Sequence, residues 1–185
     1  THTEKALPIL INSKIHRPSV CKAAATLPLH KAISPTFLPM ALKALRDAGV
    51  IFHSDATAQK VADTFKITST IATDANWSTE YGILEMNVAV VDSVDAAADH
   101  IARYGTNHTE AIVTEDKANA ARFIALSDCA AVMVNTSTRF TDGEQMGFGA
   151  EIGISNQKLH ARGPMGLDAM TTTTWIVTGT GQIRI

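Results

Sequence analysis

The sequence predicts an α/β fold in which a mostly parallel, open sheet is flanked by helices. Segments with apolar residues at every third or fourth position, typical of helices, alternate along the chain with short apolar runs typical of strands. Parallel strands need a crossover connection, and a helix fills it, so this alternation favours a parallel sheet. With 185 residues, 45% of them hydrophobic, the chain is long enough for one substantial core.

The predicted elements are short and regularly spaced. The helical segments are EKALPILINSK, FLPMALKALRDAG, TAQKVADTF, SVDAAADHIARYG and EDKANAARFIALS. The strand candidates between them are TLPLH, VIFHS, NVAVVD, EAIVTE and AAVMVN. Because loops at the carboxyl ends of parallel strands carry ligand sites, we expect a site in the Gly- and Thr-rich loop after AAVMVN. The chain ends in a β-like run, TTTTWIVTGTGQIRI, which is expected to pair with the domain's own sheet or with a partner subunit.

Charge and cysteine content exclude several classes of function. The net charge is −2 and the basic residues are scattered, so no basic patch is offered to nucleic acid or to a membrane surface. A small-molecule substrate is the better expectation. No run approaches the length of a membrane span, no signal peptide is evident, and the two cysteines form no disulfide framework, which together predict a cytoplasmic protein. No cysteine and histidine spacing predicts a metal site.

Cys21 is the first candidate for chemistry. It precedes the helix-favouring run KAAAT, which predicts a thiol at or just before a helix N-terminus. The helix dipole there, together with Arg17 and Lys22, would stabilise a thiolate. A lone cysteine beside alanines is more often a small buried residue, and the local sequence favours that structural interpretation. Cys129 directly precedes an apolar strand without basic neighbours and is predicted to be a core residue.

The other polar candidates are less specific. The histidines, His16 and His108 among them, lack the spacing of a helical metal pair and are expected at the surface or behind a site. His16 is close enough in sequence to be a partner for the Cys21 thiol, but no orienting amide or carboxylate is evident. Glu80 and Arg139 have loop-like surroundings, in which a solvated charge is the ordinary interpretation. The late segment GFGAEIG matches neither usual nucleotide-binding motif.

Several long segments carry a family resemblance. In order and spacing, INSKIHRPSVCKAA, NWSTEYG, HIARYGTNHTEAIVTED, VMVNTSTRFTDGEQMGFGAEIGIS and KLHARGPMGLDAMTT resemble the γ-glutamyl phosphate reductases, or glutamate-5-semialdehyde dehydrogenases, of the aldehyde dehydrogenase superfamily. The resemblance runs from about Ala6 to Arg184. It implies an aldehyde dehydrogenase-like catalytic domain over residues 1–170 and a C-terminal oligomerisation strand over residues 171–185 of a homo-oligomer. The dinucleotide-binding domain that precedes this part in the family is absent from the chain.

The resemblance also implies a mechanism and reverses the local interpretation of Cys21. The cysteine in RPSVC is the family's nucleophile, which attacks γ-glutamyl phosphate, expels phosphate and forms a thioester that NADPH reduces to glutamate-5-semialdehyde in proline biosynthesis. By superfamily analogy, Glu80 matches the carboxylate that binds the nicotinamide ribose. By its position and chemistry, Arg139 is the expected anchor for the substrate's α-carboxylate, with Ser137 and Thr138 as companions.

Two positions beside the nucleophile depart from the family pattern. Lys22 and Ala25 stand where the family usually has asparagine and glutamate. An alternative hypothesis, that the chain is a non-catalytic interaction module that retains the fold, rests on this departure. Because most of the cofactor's binding surface belongs to the absent domain, the isolated chain is expected to be inactive. The sequence leaves open the oligomeric state, the preference between NADPH and NADH, and fusion of the parent protein to glutamate 5-kinase.

Overall fold

Helices and strands alternate in the computed structural model, which describes residues 3–185, in the order that the sequence predicts. The helices are α1 (Thr3–Ile15), α2 (Ser34–Asp47), α3 (Ala56–Thr64), α4 (Asp74–Trp77), α5 (Val94–Tyr104) and α6 (Lys117–Leu126). The strands are β1 (Thr26–His30), β2 (Ile51–Ser54), β3 (Ser69–Ile71), β4 (Glu85–Val91), β5 (Thr109–Ile112), β6 (Ala131–Val134), β7 (Gly153–Ser155) and β8 (Gly163–Met165). The five helices predicted from apolar spacing and the five predicted internal strands are present. The short elements β3, α4, β7 and β8 were not predicted.

The strands form three sheets rather than one. The main sheet has the order β1-β4-β2-β3, and every pairing in it is parallel. β5 and β6 form a separate parallel pair, and β7 and β8 form a small antiparallel hairpin. The prediction of a mostly parallel sheet flanked by helices is therefore confirmed, and the division into separate sheets is a feature that the sequence did not indicate.

The hydrophobic core lies between one face of the main sheet and helices α1, α2 and α3. Side chains alternate across a strand, so every second residue of β2 and β4 points to this face. The core residues that are completely buried there are Leu38, Ala41, Leu42, Leu45, Phe52, Ala58, Ala62, Met86 and Val88. The opposite face carries a buried polar group instead. The Asn87 amide accepts a hydrogen bond from the Tyr81 hydroxyl at 2.7 Å and donates one to the Asn76 carbonyl at 2.7 Å.

The connection from β2 to α3 is fixed by one side chain. Asp55 caps the helix, because its Oδ1 accepts hydrogen bonds from the backbone N–H groups of Thr57 and Ala58 at 2.9 and 2.7 Å. Its Oδ2 accepts a further hydrogen bond from the Val90 N–H of β4 at 2.6 Å. The same carboxylate therefore ties the start of a helix to the central strand of the sheet.

Of the two pairings that the sequence allows for the C-terminal run, the described residues do not show the one with the domain's own sheet. After a 3₁₀ turn over Asp168–Met170, residues 171–185 pair with no sheet of this chain. Trp175, Ile176 and Val177 are 91%, 85% and 90% exposed. A strand needs the edge of another strand to satisfy its backbone, and the domain's own sheets do not provide it here. None of the helices within residues 3–185 has the length and apolar character needed to span a membrane.

Candidate functional site

Cys21 lies in an exposed turn between α1 and β1. The predicted helix after it is absent, which corrects the expectation that a helix dipole acts on the thiol. The alanine run is held by other contacts, because the Ala24 N–H donates to the Ser13 carbonyl at 3.0 Å and the Ala23 N–H donates to the Val20 carbonyl at 2.9 Å. These bonds direct the chain from the end of α1 into β1, so helix propensity is overridden by tertiary contacts.

Lys22, which the sequence suggested as a neighbour of the thiol, pairs with carboxylates of a distant loop. Its side chain is only 5% exposed, and its Nζ donates to Asp142 Oδ2 at 2.7 Å and lies 3.8 Å from Glu151 Oε2. The hydrogen bond from Lys22 holds the pKa of Asp142 below its usual value. Glu151 in turn accepts a hydrogen bond from the Gly143 N–H at 2.9 Å. The ammonium group therefore fastens the loop over residues 141–151 to the turn that carries the cysteine.

A cavity of about 470 Å³ brings three of the predicted site residues together. Cys21, Glu80 and Thr138 all line it, although they belong to three distant segments of the chain. The lining also includes residues of α1, β1, α5 and β5, so the cavity lies between the main sheet and the β5–β6 pair. Thr138 is 7% exposed, and its Oγ1 has no hydrogen-bond partner within the described part of the chain. A buried hydroxyl without a partner is unfavourable, which makes Thr138 a candidate contact for a ligand.

Ser137 and Arg139 stand beside this cavity and not among the residues that line it. The hydroxyls of Ser137 and Ser13 share a hydrogen bond of 3.1 Å, and Ser13 Oγ also accepts the Thr138 N–H at 3.2 Å. Arg139 donates from Nε to Nδ1 of His16 at 3.2 Å. Its Nη1 is buried and has no partner among residues 3–185. Ser137 thus positions the segment, while Arg139 holds a buried guanidinium nitrogen without a partner beside the cavity.

His108 was expected at the surface or behind the site, and the structure corrects this. Its side chain is 7% exposed and lines the same cavity as Cys21. Nδ1 lies 2.7 Å from Thr109 Oγ1, whereas Nε2 is buried and finds no partner in the part of the chain that the structure describes. Burial lowers the pKa of His108, against a smaller opposite effect of the Glu80 carboxylate. The signal in the sequence was the histidine directly before β5 in NHTEAIVT.

Two further groups line or border this region. Cys129 is partly buried, and its thiol donates to the Ala131 carbonyl at 3.1 Å. Burial raises the pKa of the Cys129 thiol, which makes it a poor nucleophile, as its predicted structural role requires. Glu110, on β5, also lines the cavity, and burial raises the pKa of its carboxyl group to about 7.

The raised pKa of Glu110 predicts a pH-dependent stability. Because the folded state holds the proton more tightly than the unfolded chain, the free energy of unfolding falls as the pH rises from 4.5 to about 7. The Glu110→Gln variant should lose this dependence and gain about 3 kcal/mol relative to the original chain at pH 8, measured by urea unfolding at pH 5 and pH 8. Glu144→Gln, at an exposed position, is the matched control. If the free energy of unfolding changes between pH 5 and pH 8 by the same amount in the original chain and in Glu110→Gln, the prediction is contradicted.

The residues described in the structure contain no group of three or more His, Cys, Asp or Glu side chains able to hold a metal ion. The polar groups at the cavity suit a nicotinamide cofactor better than a metal ion. Glu80 presents a carboxylate at the cavity, and two carboxylate oxygens match the two hydroxyls of a ribose. The residues present therefore fit one part of a dinucleotide.

Comparison with known proteins identifies the relatives of this chain. No family model matches it. The γ-glutamyl phosphate reductase of Thermobifida fusca is 54% identical over 181 residues, which is 98% of this chain, and that of Bifidobacterium adolescentis is 53% identical over 184 residues, also 98%. The crystal structure of the Thermotoga maritima γ-glutamyl phosphate reductase matches 99% of the chain with a TM-score of 0.93 and 44% identity. The chain is homologous to γ-glutamyl phosphate reductases. The resemblance seen in its motifs is thereby confirmed.

The chain matches only part of each γ-glutamyl phosphate reductase. It spans 42% of the T. fusca protein, and 43% of each of the B. adolescentis and T. maritima proteins. More distant structures show the aldehyde dehydrogenase-like fold. A propionaldehyde dehydrogenase from Clostridium phytofermentans matches 92% of the chain, and 46% of its own length, with a TM-score of 0.65 at 14% identity. A Methanocaldococcus jannaschii glyceraldehyde-3-phosphate dehydrogenase solved with NADP matches 74% of the chain and 38% of its own length, with a TM-score of 0.56 and 14% identity.

Proposed function

We propose that this chain is the catalytic part of an NADPH-dependent reductase that converts γ-glutamyl phosphate to glutamate-5-semialdehyde and phosphate in proline biosynthesis. One observation carries the proposal. In a chain 54% identical to a γ-glutamyl phosphate reductase, an exposed cysteine, a free carboxylate and a buried unpartnered hydroxyl line one cavity. These groups are Cys21, Glu80 and Thr138, and they supply a nucleophile, a cofactor contact and a substrate contact.

Cys21 is the nucleophile in this mechanism. Its thiolate attacks the acyl carbon of γ-glutamyl phosphate, the C–S bond forms, the bond from carbon to the phosphate oxygen breaks, and phosphate leaves. NADPH, when bound, supplies the hydride that reduces the resulting thioester. Backbone N–H groups near Cys21 stabilise the negative charge that develops on the acyl oxygen. Collapse of the thiohemiacetal oxyanion then releases the semialdehyde and restores the thiolate.

Arg139 and Glu80 orient the two reacting molecules. Arg139 binds the α-carboxylate of the substrate through its guanidinium, whose Nη1 has no partner among residues 3–185. Because Arg139 does not line the cavity, its side chain turns towards the cavity when the substrate binds. The Thr138 hydroxyl contacts the substrate within the cavity, and Ser137 holds the segment against α1 through Ser13. Glu80 accepts hydrogen bonds from the nicotinamide ribose and so directs the reducing carbon towards Cys21.

The proposal divides the enzyme between two parts. Residues 1–170 form the catalytic domain, and a dinucleotide-binding domain outside this chain holds most of NADPH. Residues 171–185 are an oligomerisation strand that pairs with a second copy of the chain in the cytoplasm. The exposure of Trp175, Ile176 and Val177 supports this role, because apolar side chains of this size are normally covered.

The test joins this chain to the amino-terminal remainder of the T. fusca reductase. The joined protein should oxidise glutamate-5-semialdehyde in the presence of phosphate while NADP is reduced, followed by the absorbance of NADPH. The chain alone should show no binding of NADPH by calorimetry. Oxidation that proceeds equally well without phosphate, or a folded joined protein with no activity, would overturn the proposal.

A further inference from the structure

We propose that His108 is the proton acceptor that activates the Cys21 thiol. The inference rests on the proposed function of Cys21 as the nucleophile, and adds a group that sequence reasoning placed outside the site. Both side chains line the same cavity, and His108 Nε2 is a buried polar atom without a partner in residues 3–185. His108 lines the cavity, and Nε2 is the ring nitrogen that no group of residues 3–185 engages, so it is the atom that can accept a proton from a group presented there.

The hydrogen bonds around the ring determine which nitrogen accepts the proton. The Thr109 hydroxyl donates to Thr141 Oγ1 at 3.0 Å, so its oxygen is left to accept the hydrogen of His108 Nδ1 at 2.7 Å. The neutral ring therefore carries its hydrogen on Nδ1 and a lone pair on Nε2. In a cysteine–histidine pair the base is oriented by a third group, and the two threonine hydroxyls provide that orientation here.

The surroundings favour a ring that starts neutral. Burial is the largest influence and lowers the pKa of His108, while the charges that face it come from three other segments. The carboxylates of Glu80 and Glu151 raise this pKa, and the ammonium of Lys22 lowers it. Because Lys22 is paired with Asp142, much of its charge is compensated. The two carboxylates can then stabilise the imidazolium once it has formed.

His16, the nearer histidine in sequence, is engaged elsewhere. Its Nδ1 accepts the hydrogen bond from Arg139 Nε at 3.2 Å, and its side chain is exposed. It does not line the cavity that contains Cys21. The partner of the Cys21 thiol is therefore His108 and not His16, which its nearness in sequence had suggested.

The proton transfer is balanced over the step that expels phosphate. The S–H bond of Cys21 breaks, an N–H bond forms at His108 Nε2, and a thiolate and an imidazolium result. After the thiolate has attacked the acyl phosphate, the imidazolium returns the proton to the departing phosphate oxygen. His108 is then neutral again. Release of the semialdehyde leaves a Cys21 thiolate, and one proton from solvent restores the thiol before the next turnover.

Alkylation of Cys21 by iodoacetamide tests the proposal on this chain without the cofactor domain. The background is Cys129→Ala, so that only one thiol reacts. We expect His108→Gln to slow alkylation at pH 7 by about tenfold, and to change the rate little above pH 9, where hydroxide ionises the thiol without a base. His160→Gln, at an exposed position, is the control and should alkylate at the original rate. Circular dichroism verifies that each variant is folded.

Two further variants separate proton transfer from a structural role. His108→Ala should recover much of its rate at pH 7 when imidazole is added, and the original chain should not respond. Thr109→Val, which removes the acceptor of the Nδ1 hydrogen, should slow alkylation at pH 7 while leaving the histidine in place. Unchanged rates in His108→Gln, or a slow rate that imidazole does not restore, would overturn the inference. The reductase assay of the joined protein is independent of these rates, so the two proposals can fail separately.

Discussion

Replacing Cys21 with serine in the joined protein should abolish the phosphate-dependent oxidation of glutamate-5-semialdehyde. A serine hydroxyl is not ionised near neutral pH, and it cannot form the thioester from which the reaction proceeds, so kcat should fall on the order of 10³-fold or more. The KM for the aldehyde should change little, because the substrate contacts of the site are retained. The rate of NADP reduction measures the effect.

Cys129→Ser is the matched control for this substitution. The Cys129 thiol is partly buried and donates to the Ala131 carbonyl, an interaction that a serine hydroxyl can replace. Its activity should remain close to that of the original protein. Full activity in Cys21→Ser would contradict the proposed mechanism and favour the hypothesis of a non-catalytic interaction module. Equal losses in both variants would show that the assay reports stability rather than nucleophilic attack.

The helices and internal strands could be predicted because their signals are local. Apolar spacing within each segment is a property of a few neighbouring residues, and it identified α2 and β4 as readily as the shorter elements. The partition of the strands was not predictable in this way. β5 pairs with β6 rather than with the main sheet, and that choice depends on contacts between segments distant in sequence. The C-terminal run, with strong β propensity but no partner edge, forms no strand in this chain.

The candidate site shows the same limit at the level of single residues. Motif resemblance identified Cys21, whereas local propensity predicted a helix after it that the structure does not contain. The partner of Lys22 is Asp142, far along the chain, and no pattern around either residue indicated the pair. For His108, the decisive facts are burial and an unpartnered nitrogen. Both are tertiary properties. The sequence alone showed only that His108 directly precedes a predicted strand.

Replacing Arg139 with methionine in the joined protein should raise the KM for glutamate-5-semialdehyde about 100-fold and change kcat much less. The structure holds the guanidinium by one hydrogen bond to His16 and leaves Nη1 buried without a partner among the residues described, which is unfavourable until an anion binds. The α-carboxylate of the substrate is the anion in the proposed function. Methionine preserves most of the side-chain volume, so the loss measures the charge and the hydrogen bonds rather than a cavity.

An amino aldehyde that matches glutamate-5-semialdehyde but lacks the α-carboxylate provides a second test. It shows whether Arg139 binds the carboxylate of the substrate or whether its replacement disturbs the site in general. The original protein should bind this analogue about 100-fold more weakly than glutamate-5-semialdehyde, and Arg139→Met should no longer discriminate between the two aldehydes. Arg46→Met, in which an exposed ion pair with Asp47 is removed from α2, is the control and should keep the original KM. If Arg139→Met still prefers the aldehyde with the carboxylate by the original factor, Arg139 is not the anchor. The free Nη1 would then have to serve another anion.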